Sequence, residues 1–257
     1  MKIGVIGVGN IAVAVVRGLC RAAPAPEKVL LSPRNAGKAA ALAAEFPQVE
    51  VAPDNQAVVD GSDCVIPAVR PPQAREVLSA LTFRPGQKVI SIMAAVRLDE
   101  LKELVAPATD IARAVPQPSV AQHNGPIAIY PNDPETVEMF GRIGTAVPAD
   151  DEHQYDSLCT VTAWAASHFA FLAHVSKWLV GEGVDKLSAD RFVGAISQSI
   201  STDAALGAEH GFEALIEEVS TPGGMNEQIL RMLTEADWFA PLKPAFDAIL
   251  DRHEGRA

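Results

Sequence analysis

The 257-residue sequence predicts an α/β chain, with a doubly wound sheet over residues 1–150 followed by an all-helical segment over residues 151–257. Three observations predict it. Short β-branched runs alternate with alanine-rich stretches through the first half, the pattern of a parallel sheet covered on both faces. Strand signals stop after about residue 149. A glycine-rich turn, Gly7-Val8-Gly9-Asn10-Ile11-Ala12, stands between the first strand and the first helix, where a dinucleotide-binding sheet needs one.

Each element follows in order. Lys2 to Ile6 is the first strand, apolar on both faces, and residues 10–22 carry the first helical pattern. Val29–Leu31, Val49–Val51, Cys64–Val69, Val89–Ile92 and Ile111–Val115 are the next strands, with helical patterns at 35–45, 54–60, 73–80 and 97–105 between them. Ile127 to Tyr130, a helix near 134–143 and a strand at Thr145 to Val147 extend the sheet. From His153 onward the pattern is helical only, broken at Gly181-Glu182-Gly183, Gly207 to Gly211, Thr221 to Gly224 and near Pro241. The apolar run from Thr160 to Val180 is interrupted by Ser167, His168, His174, Ser176 and Lys177, so it reads as a buried helix and not a membrane span. Helices that are apolar on more than one face need a covering surface, and a second subunit is the simplest one, making a homodimer or larger homo-oligomer the expectation.

Composition narrows the function. With 48% hydrophobic and 21% charged residues the chain can bury a core. Acidic residues outnumber basic ones 32 to 21, for a net charge of −11, which sets the chain against nucleic acid and anionic membrane as partners. Residues 1–150 carry 14 Lys+Arg against 15 Asp+Glu and residues 151–257 carry 7 against 17, so the acidity belongs to the helical half. Cys20, Cys64 and Cys159 form no CxxC pair and suit small buried hydrophobes in a reducing cytoplasm. The apolar stretch behind Met1 ends at Gly7, too soon for a secretory segment. A cytoplasmic location is expected. No metal is expected: His168 and His174, six apart, fall on different faces of one helix.

The glycine turn carries the strongest chemistry. Gly7 permits the tight turn, Gly9 lets a pyrophosphate approach the backbone, and Ala12 allows close helix–strand packing. Free N–H groups and the helix dipole then hold the anion. An NAD-specific site would place Asp or Glu at the end of the second strand; this chain has Leu31-Ser32-Pro33-Arg34-Asn35 instead. With no carboxylate to repel a 2′-phosphate, and with Ser32, Arg34 and Asn35 able to donate to one, NADP(H) is the expected cofactor.

Taken together the motifs resemble those of the pyrroline-5-carboxylate reductase family from the first strand to the last helix. Gly7-Val8-Gly9-Asn10-Ile11-Ala12 is similar to its Gly-x-Gly-Asn-Met-Ala; Asn55 stands where the family has a cofactor-contacting Asn; Ala68-Val69-Arg70-Pro71 resembles Ala-Val-Lys-Pro. Ser91-Ile92-Met93-Ala94-Ala95-Val96 resembles Ser-Ile-Ala-Ala-Gly-Val, Arg113-Ala114-Val115-Pro116 resembles Arg-x-Met-Pro, and Ser220-Thr221-Pro222-Gly223-Gly224 resembles Ser-Pro-Gly-Gly. The resemblance implies a Rossmann-type NADP-binding domain and a helical dimerisation domain. It also implies NADPH-dependent reduction of a cyclic imine carboxylate, in the parent case pyrroline-5-carboxylate to proline, with Asn10, Ile11, Asn55, Ala68, Val69, Arg70, Met93 and Ala94 at the cofactor.

The substrate region departs from the pattern. Leu-Ser-Gly-Ser-Gly-Pro-Ala-Tyr becomes Val161-Thr162-Ala163-Trp164-Ala165-Ala166-Ser167-His168, Gln117 replaces the Asn of the Met-Pro-Asn loop, and His174 replaces a Glu. After Gly224 come Met225 and Asn226, where the family has a Thr that bonds the imine nitrogen. Asn226 keeps hydrogen-bonding capacity there, whereas Met225 reads as a packing residue. Thr221 reads as an N-cap with Pro222 at the first helical position, leaving the Gly223 and Gly224 N–H groups open to a substrate carboxylate. Ser220, Thr221, Gly223, Gly224, Met225, Asn226, Trp164 and Gln117 are thus the candidate substrate and catalytic positions. Three readings stay open: a reductase of this or a closely similar imine, a β-hydroxyacid dehydrogenase-like enzyme, and an NADP-binding regulator without catalysis.

Overall fold

A computed structural model describes residues 1–256, which divide into two compact units, Met1–Cys159 and the chain from Thr160 onward. In the first unit, eight strands among the described residues form one sheet: β1 (Lys2–Ile6), β2 (Lys28–Leu31), β3 (Val49–Val51), β4 (Cys64–Pro67), β5 (Lys88–Ser91), β6 (Asp110–Pro116), β7 (Pro126–Tyr130) and β8 (Thr145–Pro148). Their spatial order is β3-β2-β1-β4-β5-β6-β7-β8. Helices α1 (Asn10–Arg21), α2 (Ala36–Glu45), α3 (Asn55–Asp60), α4 (Pro71–Leu78), α5 (Leu98–Leu104), α6 (Pro134–Gly141) and α7 (Glu152–Val161) complete the alternation that the sequence predicts.

The two-sided burial of the strands has a direct cause in their period of two. Val5, Ile66 and Ile90 pack into one core layer with Val15, Leu19 and Phe140, while their neighbours Ile6, Val65 and Val89 pack into the other with Leu78, Phe83 and Leu101. Six strands, β1 to β6, run parallel. The next connection is short, with a 3₁₀ turn over Pro118–Gln122, and a link of that length cannot carry the chain back for a parallel crossover. β7 therefore pairs antiparallel with β6, and β8 pairs parallel with β7, so the two added strands extend the sheet with reversed direction.

The order of strands reverses beside β1: the chain builds outward through β2 and β3, then returns to place β4 on the other flank of β1. Such a reversal leaves a crevice at the carboxyl ends of the strands, the place where α/β sheets of this kind bind ligands. It puts the glycine turn after β1, the Ser32 to Asn35 loop after β2, the Ala68 to Arg70 loop after β4 and the Met93 to Arg97 loop after β5 on one edge.

The second unit contains α8 (Ala165–Gly181), α9 (Lys186–Gly207), α10 (Phe212–Val219), α11 (Met225–Glu235) and α12 (Leu242–His253). Here the expectation of a buried helix over Thr160 to Val180 needs correction. Ser176 is the buried residue of α8, and Phe169, Phe171 and Trp178 are exposed. Apolar composition does call for burial, but within one chain α8 has too few neighbours to supply it. The continuous helical stretch Glu152–Gly181 is long and apolar enough by length and composition to cross a membrane, and 11% of its most apolar window is buried. α9 is similarly exposed at Phe192, Ile196 and Ile200.

Candidate functional site

The glycine turn behaves as its spacing requires. Gly7 sits at φ +93°, and a Cβ there would lie 2.9 Å from the Ala68 carbonyl oxygen, so both the left-handed backbone and the close approach of the β4 loop call for glycine. Gly9 is the N-cap of α1, with no side-chain cap and no acidic residue in the first turn. A Cβ on Gly9 would meet nothing within 4 Å. The helix thus opens with uncapped amides and its positive dipole end facing clear space, an arrangement suited to a pyrophosphate.

The loop after β2 divides its labour differently from the sequence reading. Ser32 is 1% exposed, and its Oγ accepts the Gly7 N–H at 2.8 Å. Asn35 donates through Nδ2 to the Val8 carbonyl at 3.0 Å. Both side chains therefore brace the glycine turn. Arg34 is exposed and faces a cleft of about 320 Å³ lined also by Gly7, Gly9, Val69, Arg70 and Gln73. With its carboxamide oxygen turned toward the guanidinium, Gln73 accepts from Arg34 Nη1 at 3.2 Å and Nη2 at 2.9 Å. Arg34 and Arg70 flank one cleft with no carboxylate among its lining residues.

An adjoining cleft of about 310 Å³ is lined by Gly9, Asn10, Ile11, Ala68, Val69 and Arg70 on one side and by Met93, Ala94 and Ala95 on the other. Asn10 accepts at Oδ1 from Lys38 Nζ at 2.5 Å. Met93 is buried, and its N–H donates to Ser91 Oγ at 3.2 Å. Asn55 opens α3 beside its N-cap Asp54 and lines neither cleft. Gln117 follows β6 as N-cap of the 3₁₀ turn.

The second unit holds the other candidates. Ser220 caps the C-terminus of α10, and the segment behind it corrects the reading of Thr221 as an N-cap. Gly224 N–H donates to the Thr221 carbonyl at 2.8 Å, Gly223 has φ +75°, and α11 starts only at Met225 with Gly224 as its N-cap. Pro followed by a left-handed Gly makes a β-turn of the type II kind. The Gly223 N–H, expected to be open, donates to Glu227 Oε2 at 2.6 Å. The amides that an α-helix leaves without intrahelical acceptors begin at Met225. Asn226 donates through Nδ2 to the Val219 carbonyl at 3.0 Å, which leaves its Oδ1 and the second Nδ2 hydrogen for a ligand. Met225 is 83% exposed. Trp164 lies in a 3₁₀ turn with its ring 6.4 Å from that of Phe246. His168 Nε2 meets Ser197 Oγ at 3.2 Å, and His174 Nδ1 meets the Ala170 carbonyl at 2.8 Å. Among the described residues no group of three or more His, Cys, Asp or Glu could hold a metal ion.

Residues 2–95 match the family model described as NADP oxidoreductase, coenzyme F420-dependent. The chain is 24% identical to the pyrroline-5-carboxylate reductase of Pseudomonas aeruginosa, over 98% of this chain and 95% of that protein. It is 26% identical to that of Escherichia coli (strain K12), over 98% and 97%. The chain is similar along nearly its whole length to members of the pyrroline-5-carboxylate reductase family. Solved members share its fold: the pyrroline-5-carboxylate reductase of Coxiella burnetii superposes with a TM-score of 0.88 at 20% identity, covering 99% of this chain and 98% of that one. A Plasmodium falciparum pyrroline carboxylate reductase with NADP bound superposes with a TM-score of 0.78 at 17% identity, covering 100% and 98%. The likeness supports an NAD(P)-dependent oxidoreductase acting on C=N.

Three residues around the crevice escape a reading of motifs, Lys38, Gln73 and Glu152, and Arg113 enters one only as part of Arg-x-Met-Pro. Lys38 and Gln73 sit inside ordinary helical patterns and meet their partners only through the fold. Arg113 had a signal, since an Arg inside a strand that is otherwise apolar on both faces must find a buried acceptor.

Proposed function

We propose that the chain reduces a cyclic imine carboxylate, 1-pyrroline-5-carboxylate, to L-proline. The cofactor is NADP(H). The observation that carries the reading is the crevice itself. Open amides of α1 stand behind Gly9, and Arg34 held by Gln73 faces Arg70 where an NAD enzyme would present a carboxylate. Near-full-length likeness to reductases of this substrate supports it.

Bound NADPH supplies the hydride that adds to the imine carbon, and the nitrogen carries one proton in the amine product. The chain's contribution is placement. The first amides of α11, from Met225 onward, offer donors for the substrate carboxylate. Asn226 Oδ1, with its amide nitrogen engaged by Val219, accepts from a protonated imine N–H. Thr221 and Ser220 hold the turn that presents these groups. In the same reading the second unit forms a homodimer or larger oligomer through its exposed helices, and the protein works in the cytoplasm. The altered segment Ala163 to His168, where family members carry two glycines and a proline at the places of Ala163, Ala165 and Ala166 and no indole at that of Trp164, favours a second reading in which a cyclic imine of different ring size is reduced.

Steady-state oxidation of NADPH and NADH against a panel of cyclic imine carboxylates tests both. Turnover with 1-pyrroline-5-carboxylate and a preference for NADPH are expected, and no turnover with any member of the panel sinks the proposal. Arg34→Ala is expected to raise KM for NADPH by about 10-fold or more, the loss of one charge-assisted phosphate contact, while leaving the NADH reaction within about two-fold.

A further inference from the structure

Arg113, in the middle of β6, is 1% exposed and the largest fully buried side chain among the described residues. A dehydrated guanidinium costs several kcal/mol unless it is matched, and its partners here are specific. Nη1 donates to Glu152 Oε1 at 2.7 Å, Nη2 donates to the Ala94 carbonyl at 3.0 Å, and Cζ lies 4.2 Å from the Tyr155 ring centroid. Glu152, the first residue of α7, also accepts from the Leu98 N–H at 3.1 Å and from Arg97 Nη2 at 2.5 Å. Asp156, one turn further along α7, lies 3.9 Å from Arg113 and 3.6 Å from Arg97. Two cations and two carboxylates thus close a balanced network around the loop between β5 and α5.

That network holds the loop at both ends, at the Ala94 carbonyl and at the Leu98 amide. The backbone between Met93 and Ala95 is one wall of the crevice, yet neither Arg113 nor Glu152 lines it. Strand order says which part of the cofactor meets this wall. Arg34 follows β2 and the pyrophosphate end of α1 follows β1, so a dinucleotide crossing the edge in the order β2, β1, β4, β5 places its nicotinamide half over the loops after β4 and β5.

On the strength of the NADPH-dependent reaction proposed above, we propose that Arg113 and Glu152 are positioning residues that hold the Ala94 to Leu98 loop in the register needed for hydride transfer. The test uses the full chain with Glu152→Gln, which keeps volume and one acceptor but removes the charge opposing Arg113, and Arg113→Lys, which keeps the charge but loses the fork that reaches both Glu152 and Ala94. Hydrogen exchange over residues 92–98 is measured with and without NADPH, together with NADPH affinity by calorimetry and kcat at saturating substrates. In wild type, NADPH is expected to protect this segment. In Glu152→Gln the protection is lost, kcat falls about 10-fold or more, and the dissociation constant for NADPH changes by less than about three-fold. In Arg113→Lys kcat falls likewise, although the charge is kept.

Unchanged protection and kcat in folded Glu152→Gln overturn the inference. So does a parallel loss of NADPH affinity, kcat and melting temperature, which marks general structural damage. A wild type that binds NADPH but reduces no imine overturns the proposed reaction alone, and the loss or survival of NADPH protection in the variant still decides the role of the pair.

Discussion

Two glycines two residues apart carry opposite demands, and substitution separates them. At Gly9 an added methyl group finds open space and an ordinary backbone, with φ −81°. At Gly7 it meets a carbonyl oxygen at 2.9 Å on a backbone with φ +93°. Gly9→Ala is expected to melt within about 2 °C of wild type and to weaken NADPH binding about 10-fold, because the methyl group occupies the approach path of the pyrophosphate. Gly7→Ala is expected to lose on the order of 2 kcal/mol of stability. Thermal unfolding and calorimetry on the two variants check both. The glycine spacing was legible in the sequence because it expresses a local backbone requirement. Ser32 and Asn35 were legible as polar groups near the cofactor but not as braces, since their acceptor and donor roles depend on a turn 25 and 27 residues away.

At the scale of elements, alternation and breaker residues located every strand and helix of the sheet, because period and punctuation are local properties. Strand direction after β6 was not local. It was set by a connection too short to cross over. The turn before α11 was misread for a related reason: Pro after Thr suits both a helix start and a type II turn, and the following left-handed Gly223 selects the turn.

The opposite edge of the sheet shows what element-level charge does. Lys88 of β5, 6% exposed at its side chain, bridges Asp110 of β6 at 3.1 Å, the α6 N-cap Asp133 at 2.7 Å and Glu135 at 3.2 Å. Burial pulls the Lys88 ammonium down, and hydrogen bonds to Asp133, Asp110 and Glu135 outweigh it, leaving it raised. Burial pushes the Asp133 carboxyl up, and hydrogen bonds from Lys88 and Thr136 outweigh that, holding it below the usual carboxylate range. The lowered acid contributes stability above its ordinary pKa that disappears as pH falls through the folded value. The raised base contributes stability below its ordinary pKa, about 10.4, that disappears as pH rises through the folded value. Lys88→Met is therefore expected to cost on the order of 2 kcal/mol near neutrality, with the difference from wild type shrinking in acid and in strong alkali. Urea unfolding from about pH 3 to pH 11 measures it.

At the scale of the whole molecule, composition anticipated that the helical half needs a covering surface. What one sequence could not show is how much of that surface one chain leaves bare: Phe169, Trp178 and Phe192 are 67%, 64% and 64% exposed. Apolar faces of this extent mark association, and wild type is expected to sediment as a dimer or larger species. Trp178→Glu combined with Phe192→Glu is expected to shift it to monomer at micromolar concentration, since two buried charges in an apolar contact outweigh its stabilisation. A monomeric wild type would refute this.

The three thiols offer a different kind of access to the molecule. Cys20, Cys64 and Cys159 are buried, all in the first unit. Burial pushes their pKa values up to about 11, 12 and 11, with nearby charges adding smaller effects. At neutral pH they are protonated and inert toward disulfide reagents until the nucleotide-binding unit opens. Their rate of labelling by a thiol reagent is then a clock for that opening, one that bound NADPH should slow, read in the native protein with no probe added to the chain.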